Sequence, residues 1–184
     1  MRRWMAVGLI AMLPLLAAGC GDRSLILTVD VLSFLDPADV SQNYGPIPGG
    51  LSSVTVDVAS QEVSLLPGIA DVTEIASASL QIGASFDNST GSASAHLLIF
   101  ITSADSADVF SSVPIADIPI TLTPATITNV STEITSNALA QAMVQKKVEI
   151  GLRVSFDTSS SAVPVQGTET ITKLLATVIT KKQL

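Results

Sequence analysis

The stretch VEIGLRVSFD, residues 148–157, alternates apolar side chains with polar or small ones at every position. Its apolar residues, from Val148 to Phe156, fall on one side of an extended chain. Successive side chains of a β-strand point to opposite faces, so this period predicts a strand with one face in a core and the other in water. We therefore expect Leu152 to be buried and Arg153 to lie on the opposite, wetter face, where Arg153→Ser would cost no more than about 0.5 kcal/mol.

Weaker forms of the same alternation predict more strands and an all-β fold, a single antiparallel β-sandwich of about seven to nine strands. Two of the predicted strands flank a run of turn-forming residues at 87–91, which favours a hairpin between them. The further predicted strands are Leu25–Val31, Val54–Leu65, Leu80–Phe86, Ala93–Ile101, Ile118–Leu122, Ile127–Ile134 and Thr168–Thr180.

One segment lacks the alternation and holds good helix formers, so we predict one short helix at Ser136–Lys147. Asp36–Ser53 contains three prolines and three glycines and is predicted to be a loop. Two short words also recur along the chain: Ile-Gly followed by Ser-Phe-Asp occurs at 82–87 and again at 150–157. A duplication of two related halves and a chance recurrence both remain open.

The first 19 residues have the three parts of a secretory signal. Arg2 and Arg3 give a positive start, residues 4–16 are apolar, and small residues precede Cys20. The apolar run is shorter than the ~20 residues that a membrane-spanning helix needs. We therefore expect this segment to be removed.

Cys20 is the only cysteine, so it has no intramolecular disulfide partner and cannot join a cysteine-based metal site. A single cysteine after small residues at the end of an apolar signal resembles the lipobox of bacterial lipoproteins. In that class the thiol receives a diacylglycerol, the signal is cut before the cysteine, and the new amine is usually acylated too, with chains such as palmitate. Ala17 stands where the class more often has leucine. An ordinary signal followed by a free cysteine is the alternative.

The resemblance covers residues 1–20 and implies that Cys20 is the lipid attachment site. It divides the chain into a signal peptide (1–19), a short lipidated tether (20–24) and a β-domain (25–184). It also implies a cell-envelope protein anchored to a membrane by lipid. In this class an aspartate directly after the cysteine tends to retain the protein in the inner membrane. Gly21 stands there, so we expect the outer membrane, facing the periplasm or the cell surface.

The charge of the mature chain argues against nucleic acid as a partner. Its basic residues fall from 9 to 7 without Arg2 and Arg3, against 16 acidic ones, which gives a net charge of −9. Binding to nucleic acid needs a basic patch, and anionic lipid headgroups also attract basic segments. Membrane affinity is therefore expected from the lipid itself.

The sequence has few residues or motifs typical of catalytic sites, and we expect that the protein is not an enzyme. His96 is the only histidine, and the chain has no Gly-x-Ser-x-Gly elbow, so we expect a surface histidine and no catalytic residues. One histidine and an acylated cysteine leave too few ligands for zinc. The loop aspartates Asp36, Asp39, Asp105 and Asp108 lack the spacing of a calcium loop. We expect neither a metal nor a cofactor.

These observations favour a lipid-anchored envelope protein whose domain binds or scaffolds another envelope component, a protein or a ligand, without catalysis. One alternative is a carrier of lipid or another apolar ligand, which would need an apolar cavity inside a sandwich or barrel. Another is a hydrolase with an unrecognised site, which would need a cleft that brings His96 near a serine and an aspartate. A filled core with an exposed patch would favour the binding domain.

Replacing the predicted lipid acceptor tests the anchor. We expect Cys20→Ser to abolish metabolic labelling with a fatty acid and to block lipoprotein-specific cleavage, because the thiol is the acceptor. The control Ser24→Ala should be labelled and cleaved normally. Fatty-acid labelling of the Cys20→Ser protein would contradict the assignment.

Overall fold

The computed structural model describes residues 23–63, 74–106, 108–135, 137–143 and 147–182, and the predicted signal and Cys20 lie outside these ranges. The described residues form an antiparallel β-sandwich, which confirms the predicted fold class. Its nine strands are β1 (Arg23–Asp30), β2 (Ser41–Ile47), β3 (Val54–Val63), β4 (Glu74–Thr90), β5 (Ala93–Ser103), β6 (Ala116–Leu122), β7 (Thr126–Thr135), β8 (Val148–Asp157) and β9 (Val165–Lys182).

The strands form two sheets. Sheet A has the order β1-β9-β4-β7, with β2 beside β1 on the same edge of β9, and sheet B has the order β3-β8-β5-β6. From β2 onward, every connection crosses to the other sheet except the one from β5 to β6. Without β1, the order β2-β9-β4-β7 facing β3-β8-β5-β6 is the arrangement of an eight-stranded jelly roll, built from two Greek keys.

This strand order corrects the predicted hairpin. Strands β4 and β5 follow one another across Gly91, but β4 pairs with β7 and β9 whereas β5 pairs with β6 and β8. The turn residues there carry the chain from sheet A to sheet B. Turn-forming sequence marks a reversal of direction, and it does not specify which strand becomes the hydrogen-bonded neighbour.

The predicted loop at 36–53 was wrong in two places. Pro37–Val40 forms a short helix, α1, which Asp36 caps by accepting a hydrogen bond from the Ala38 N–H at 2.8 Å. Ser41–Ile47 forms β2, with a register shift between Tyr44 and Ile47. Pro46 is tolerated because a bulged edge strand does not need every backbone donor.

The helix predicted at 136–147 is present in its central part, as α2 (Asn137–Met143). Its Leu139 is fully buried in the core between the sheets. Among the described residues no helix is long and apolar enough to span a membrane.

The core follows from the alternation that predicted the strands. In β8, every second side chain from Val148 to Phe156 is buried and points between the sheets, and Leu152 is 1% exposed. Tyr44 from sheet A meets Phe156 from sheet B with ring centroids 5.1 Å apart. The largest fully buried side chains are Tyr44, Phe86, Phe156, Leu80, Ile82, Leu97, Ile99, Leu122, Leu139, Ile150 and Leu152.

Arg153 lies on the outer face of sheet B, as predicted, but this face is partly covered, which corrects the expectation of an ordinary surface position. A short 3-10 helix, Val109–Ser111, lies over this face, and the Phe110 ring meets Phe100 edge-on at 5.5 Å. The Arg153 guanidinium lies 4.3 Å from the centre of the Phe110 ring and pairs with Asp57, so it is not freely solvated. Gly151 leaves room for this layer, because a β-carbon there would lie 2.7 Å from a Val109 methyl group.

The two ends of the sandwich differ. At the end that we call the terminal end, β1 begins and β9 finishes, with Arg23 paired to Lys182. The opposite, loop end consists of residues 48–53, 91–92, 123–125 and 158–164. At about 3.3 Å per residue, roughly 50 Å of strand β9 separates Gly167 near the loop end from Lys182.

We expect neighbouring substitutions in β8 to differ sharply. Leu152→Asp buries an unpaired carboxylate, which costs several kcal/mol against a total stability of ~5–15 kcal/mol. Arg153→Ser removes the ring contact and the ion pair and should cost about 1–2 kcal/mol. Ser155→Ala, on the same outer face, serves as the control and should stay within about 0.5 kcal/mol. Denaturant midpoints of the chain without its signal measure all three, and equal midpoints would refute the assigned facing.

Candidate functional site

A polar cavity of about 280 Å³ opens on the outer face of sheet A, close to the loop end. Three strands that are far apart in the sequence supply its walls. Its lining residues are Asn43, Tyr44 and Gly45 from β2, Asp87 and Ser89 from β4, and Gln166, Gly167 and Thr168 from β9. We take this cavity as the candidate site because it concentrates polar side chains around irregular backbone.

A row of polar side chains crosses the outer face at the cavity. The register pairs Asn43 with Thr168, and Thr168 with Asp87, so these three side chains point to the same side. The Thr168 hydroxyl donates to Asn43 Oδ1 at 2.9 Å. Ser89 donates to the backbone oxygen of Gln166 at 2.8 Å. These bonds hold the lining in place before any ligand arrives.

Gly167 allows the three strands around the cavity to approach closely. A β-carbon at this position would overlap the Asp87 carbonyl oxygen and would lie 2.5 Å from the Tyr44 hydroxyl. Glycine therefore allows β2 and β4 to approach β9 with the tyrosine between them.

Tyr44 lines the cavity, and its buried ring packs against Phe156 in the core. Its hydroxyl donates to Asn88 Oδ1 at 3.1 Å, and the Asn88 amide donates to the Gly91 oxygen at 2.7 Å. Burial raises the pKa of Tyr44, and the nearby carboxyls of Glu169 and Asp87 raise it further. The hydroxyl therefore stays protonated and keeps its role as a donor.

Glu169 lies on the inner side of the same strand, two residues from Gly167. It is 1% exposed, and neither carboxyl oxygen has a hydrogen-bond partner within the part of the chain that the structure describes. Loss of hydration on burial raises its pKa from the ordinary 4.5 to about 7. Sequence reasoning missed this residue, although the alternation of Val165, Gly167 and Glu169 places it on the buried face.

The histidine singled out in the sequence lies elsewhere, on the outer face of sheet B. His96 Nδ1 is 2.6 Å from Asp117 Oδ1, and both side chains are about half exposed. Ser155 is the residue opposite His96 in the register of β5 and β8. The structure thus brings His96 to an aspartate and places a serine opposite it, on an open sheet surface.

Two of the four aspartates considered for calcium have local structural roles. Asp36 caps α1, and Asp108 accepts a hydrogen bond from the Phe110 N–H at 2.9 Å at the start of the 3-10 helix. Within the described ranges, no group of three or more His, Cys, Asp or Glu residues is arranged to hold a metal ion.

No protein-family model and no curated protein matches this sequence. Solved structures with some likeness include that of infectious bursal disease virus Gx strain, at a TM-score of 0.49 and 14% identity over 88% of this chain and 38% of that chain. The T=1 particles derived from infectious bursal virus match at a TM-score of 0.48 and 13% identity, over 88% of this chain and 36% of that chain. Dimeric latent PorU from Porphyromonas gingivalis matches at a TM-score of 0.35 and 9% identity, over 89% of this chain and 13% of that chain. This chain spans less than two fifths of each of these proteins, and at such scores neither a family nor a function follows for it.

We expect the buried carboxyl of Glu169 to make stability depend on pH. Its folded-state pKa of about 7 exceeds its ordinary 4.5, so its contribution is fully present below pH 4.5 and is lost as the pH rises through 7. The loss amounts to roughly 3 kcal/mol between these limits. Glu169→Gln should abolish this decline in chemical denaturation measured from pH 5 to 8. The exposed control Glu133→Gln should retain it; a decline unchanged in Glu169→Gln would show that another group titrates.

Proposed function

We propose that this chain is a lipid-anchored envelope protein of the outer membrane whose sandwich binds or scaffolds another envelope component without catalysing a reaction. The signal features and Cys20 support the anchor, and the continuous hydrophobic core and the polar loop-end cavity support binding. The partner is an envelope protein or a ligand.

The observation that carries the proposal is the separation between the start of the domain and its candidate site. Arg23, three positions after Cys20, begins β1 at the terminal end, whereas the cavity lies near the loop end. Roughly 50 Å of strand lies between them at the usual rise per residue. An anchor at Cys20 would therefore hold the loop end and the cavity away from the lipid surface, where a partner could reach both.

The loop end is rigid and carries exposed apolar side chains. Thr158 is buried, and its hydroxyl donates to the Pro48 oxygen at 2.7 Å, while its N–H donates to the Leu51 oxygen at 2.8 Å. These bonds join the two longest segments of the loop end. Leu51 and Val163 project from them with 40% and 53% exposure. Fixed loops lose little entropy on binding, which suits a contact surface.

The alternatives have less support. A carrier needs an apolar cavity, whereas the valine and leucine faces of the two sheets pack on one another and the described cavity has a polar lining. A hydrolase needs a cleft that holds the substrate at these side chains, whereas His96 and Asp117 lie half exposed on an open face of sheet B.

Site-specific crosslinking in the cells that produce the protein tests the proposal. A photoreactive amino acid at Val163 should give a discrete adduct, and one at Ile26, which is 64% exposed on β1, should not. Leu51→Asp should weaken the Val163 adduct and leave the protein in the outer-membrane fraction. Adducts only from Ile26, or a protein absent from the membrane fractions, would contradict the proposal.

A further inference from the structure

We propose that the loop-end cavity binds a primary ammonium group, carried either by a small amine such as an amino sugar or by a lysine side chain of the partner. The inference rests on the binding function proposed above and specifies the chemistry of its ligand.

The charge of the lining favours a cation. Among the eight lining residues, Asp87 supplies one carboxylate and none is lysine, arginine or histidine. Asp87 is exposed and lies next to Thr168 in the register of β4 and β9. A carboxylate in a concave polar site forms stronger hydrogen bonds with a charged donor than with a neutral one.

The side-chain amides of Asn43 and Gln166 give the lining both donors and acceptors, whereas the hydroxyls of Ser89 and Thr168 are left as acceptors by the hydrogen bonds they already make. Ser89 and Thr168 use their hydroxyl protons on the Gln166 backbone oxygen and on Asn43 Oδ1. Their oxygens then remain available only to accept. Together with the two carboxylate oxygens of Asp87, they provide acceptors from two adjacent strands. An ammonium group is a pure donor with three hydrogens and matches this set.

The backbone around the cavity is irregular on both sides of β9. The register of β2 shifts between Tyr44 and Ile47, and that of β4 shifts between Asn88 and Thr90. Bulges re-aim side chains and are common beside binding sites. The volume of about 280 Å³ equals that of about nine waters, which suits a single small group and not an extended chain.

Tyr44 provides a built-in reporter, because it is the only tyrosine and Trp4 precedes Cys20. The mature lipidated protein, purified in detergent, should show a saturable change in tyrosine emission with glucosamine or with Nα-acetyl-lysine amide. N-acetylglucosamine, which lacks the ammonium group, should give none. Asp87→Asn should weaken binding by about tenfold or more, since a hydrogen bond to a charged group contributes ~1.5–3 kcal/mol.

Asp157→Asn is the matched control. It makes the same change of charge at the loop end of sheet B, where Asp157 accepts from the Ser159 N–H, and it should bind both amines as the unchanged protein does. Binding of glucosamine alone assigns a small amine, binding of the lysine amide alone assigns a lysine side chain, and binding of both compounds assigns the ammonium group in general.

Three results would overturn the proposal: no saturable change with either amine, equal binding of N-acetylglucosamine, or equal loss in both aspartate variants. Each concerns the purified protein, so it leaves the crosslinking result for the proposed function standing. Conversely, amine binding without a Val163 adduct would keep the ligand chemistry and remove the proposed partner surface.

Discussion

The pairing of β4 with β9 is the constraint on which the rest of the sandwich depends. These two long strands run antiparallel from Glu74 opposite Lys181 to Thr90 opposite Gln166, and the other edge of β9 carries both β1 and β2. Three register shifts along the pair allow so long a ribbon to coil around the core. The cavity forms where the last of these shifts meets the bulge of β2. Its geometry is thus a local consequence of bending the central pair.

The two Greek keys are related by an approximate two-fold arrangement that exchanges the sheets, so β4 corresponds to β8. The recurring sequence words lie on these two strands. Phe86 and Phe156 are both fully buried, and each is followed by an aspartate and then by a buried polar residue that fastens loops, Asn88 or Thr158. The Ser-Phe-Asp word therefore falls at equivalent positions, near the loop end of each strand, whereas the Ile-Gly word begins four residues before Phe86 but six residues before Phe156.

Alternation along single strands predicted the sandwich, because burial of one face imposes a period of two on β5 and β8. It did not predict which strands pair, because backbone donors and acceptors are the same at almost every residue and do not identify the neighbouring strand. The turn residues before β5 therefore suggested a hairpin that does not exist. The site was harder to predict, because Tyr44, Asp87 and Gly167 meet only through the strand order. Phe110 covers Arg153 for the same reason: residues 109–111, distant in sequence, fold over a face that the alternation in β8 assigned to water.

The antiparallel docking of β1 on β9 has a mechanical consequence for a domain held at one end. If Cys20 carries the proposed lipid, a force applied at the loop end and resisted at that lipid would enter the described fold at Arg23 and load β1. Antiparallel hydrogen bonds lie perpendicular to the strands, so this force would shear the eight register pairs from Arg23–Lys182 to Asp30–Leu175 together, without opening them one by one. Hydrogen bonds that must break together withstand a larger force than hydrogen bonds that open one at a time. Strand β1 would then bear the load between the proposed lipid anchor and the proposed partner.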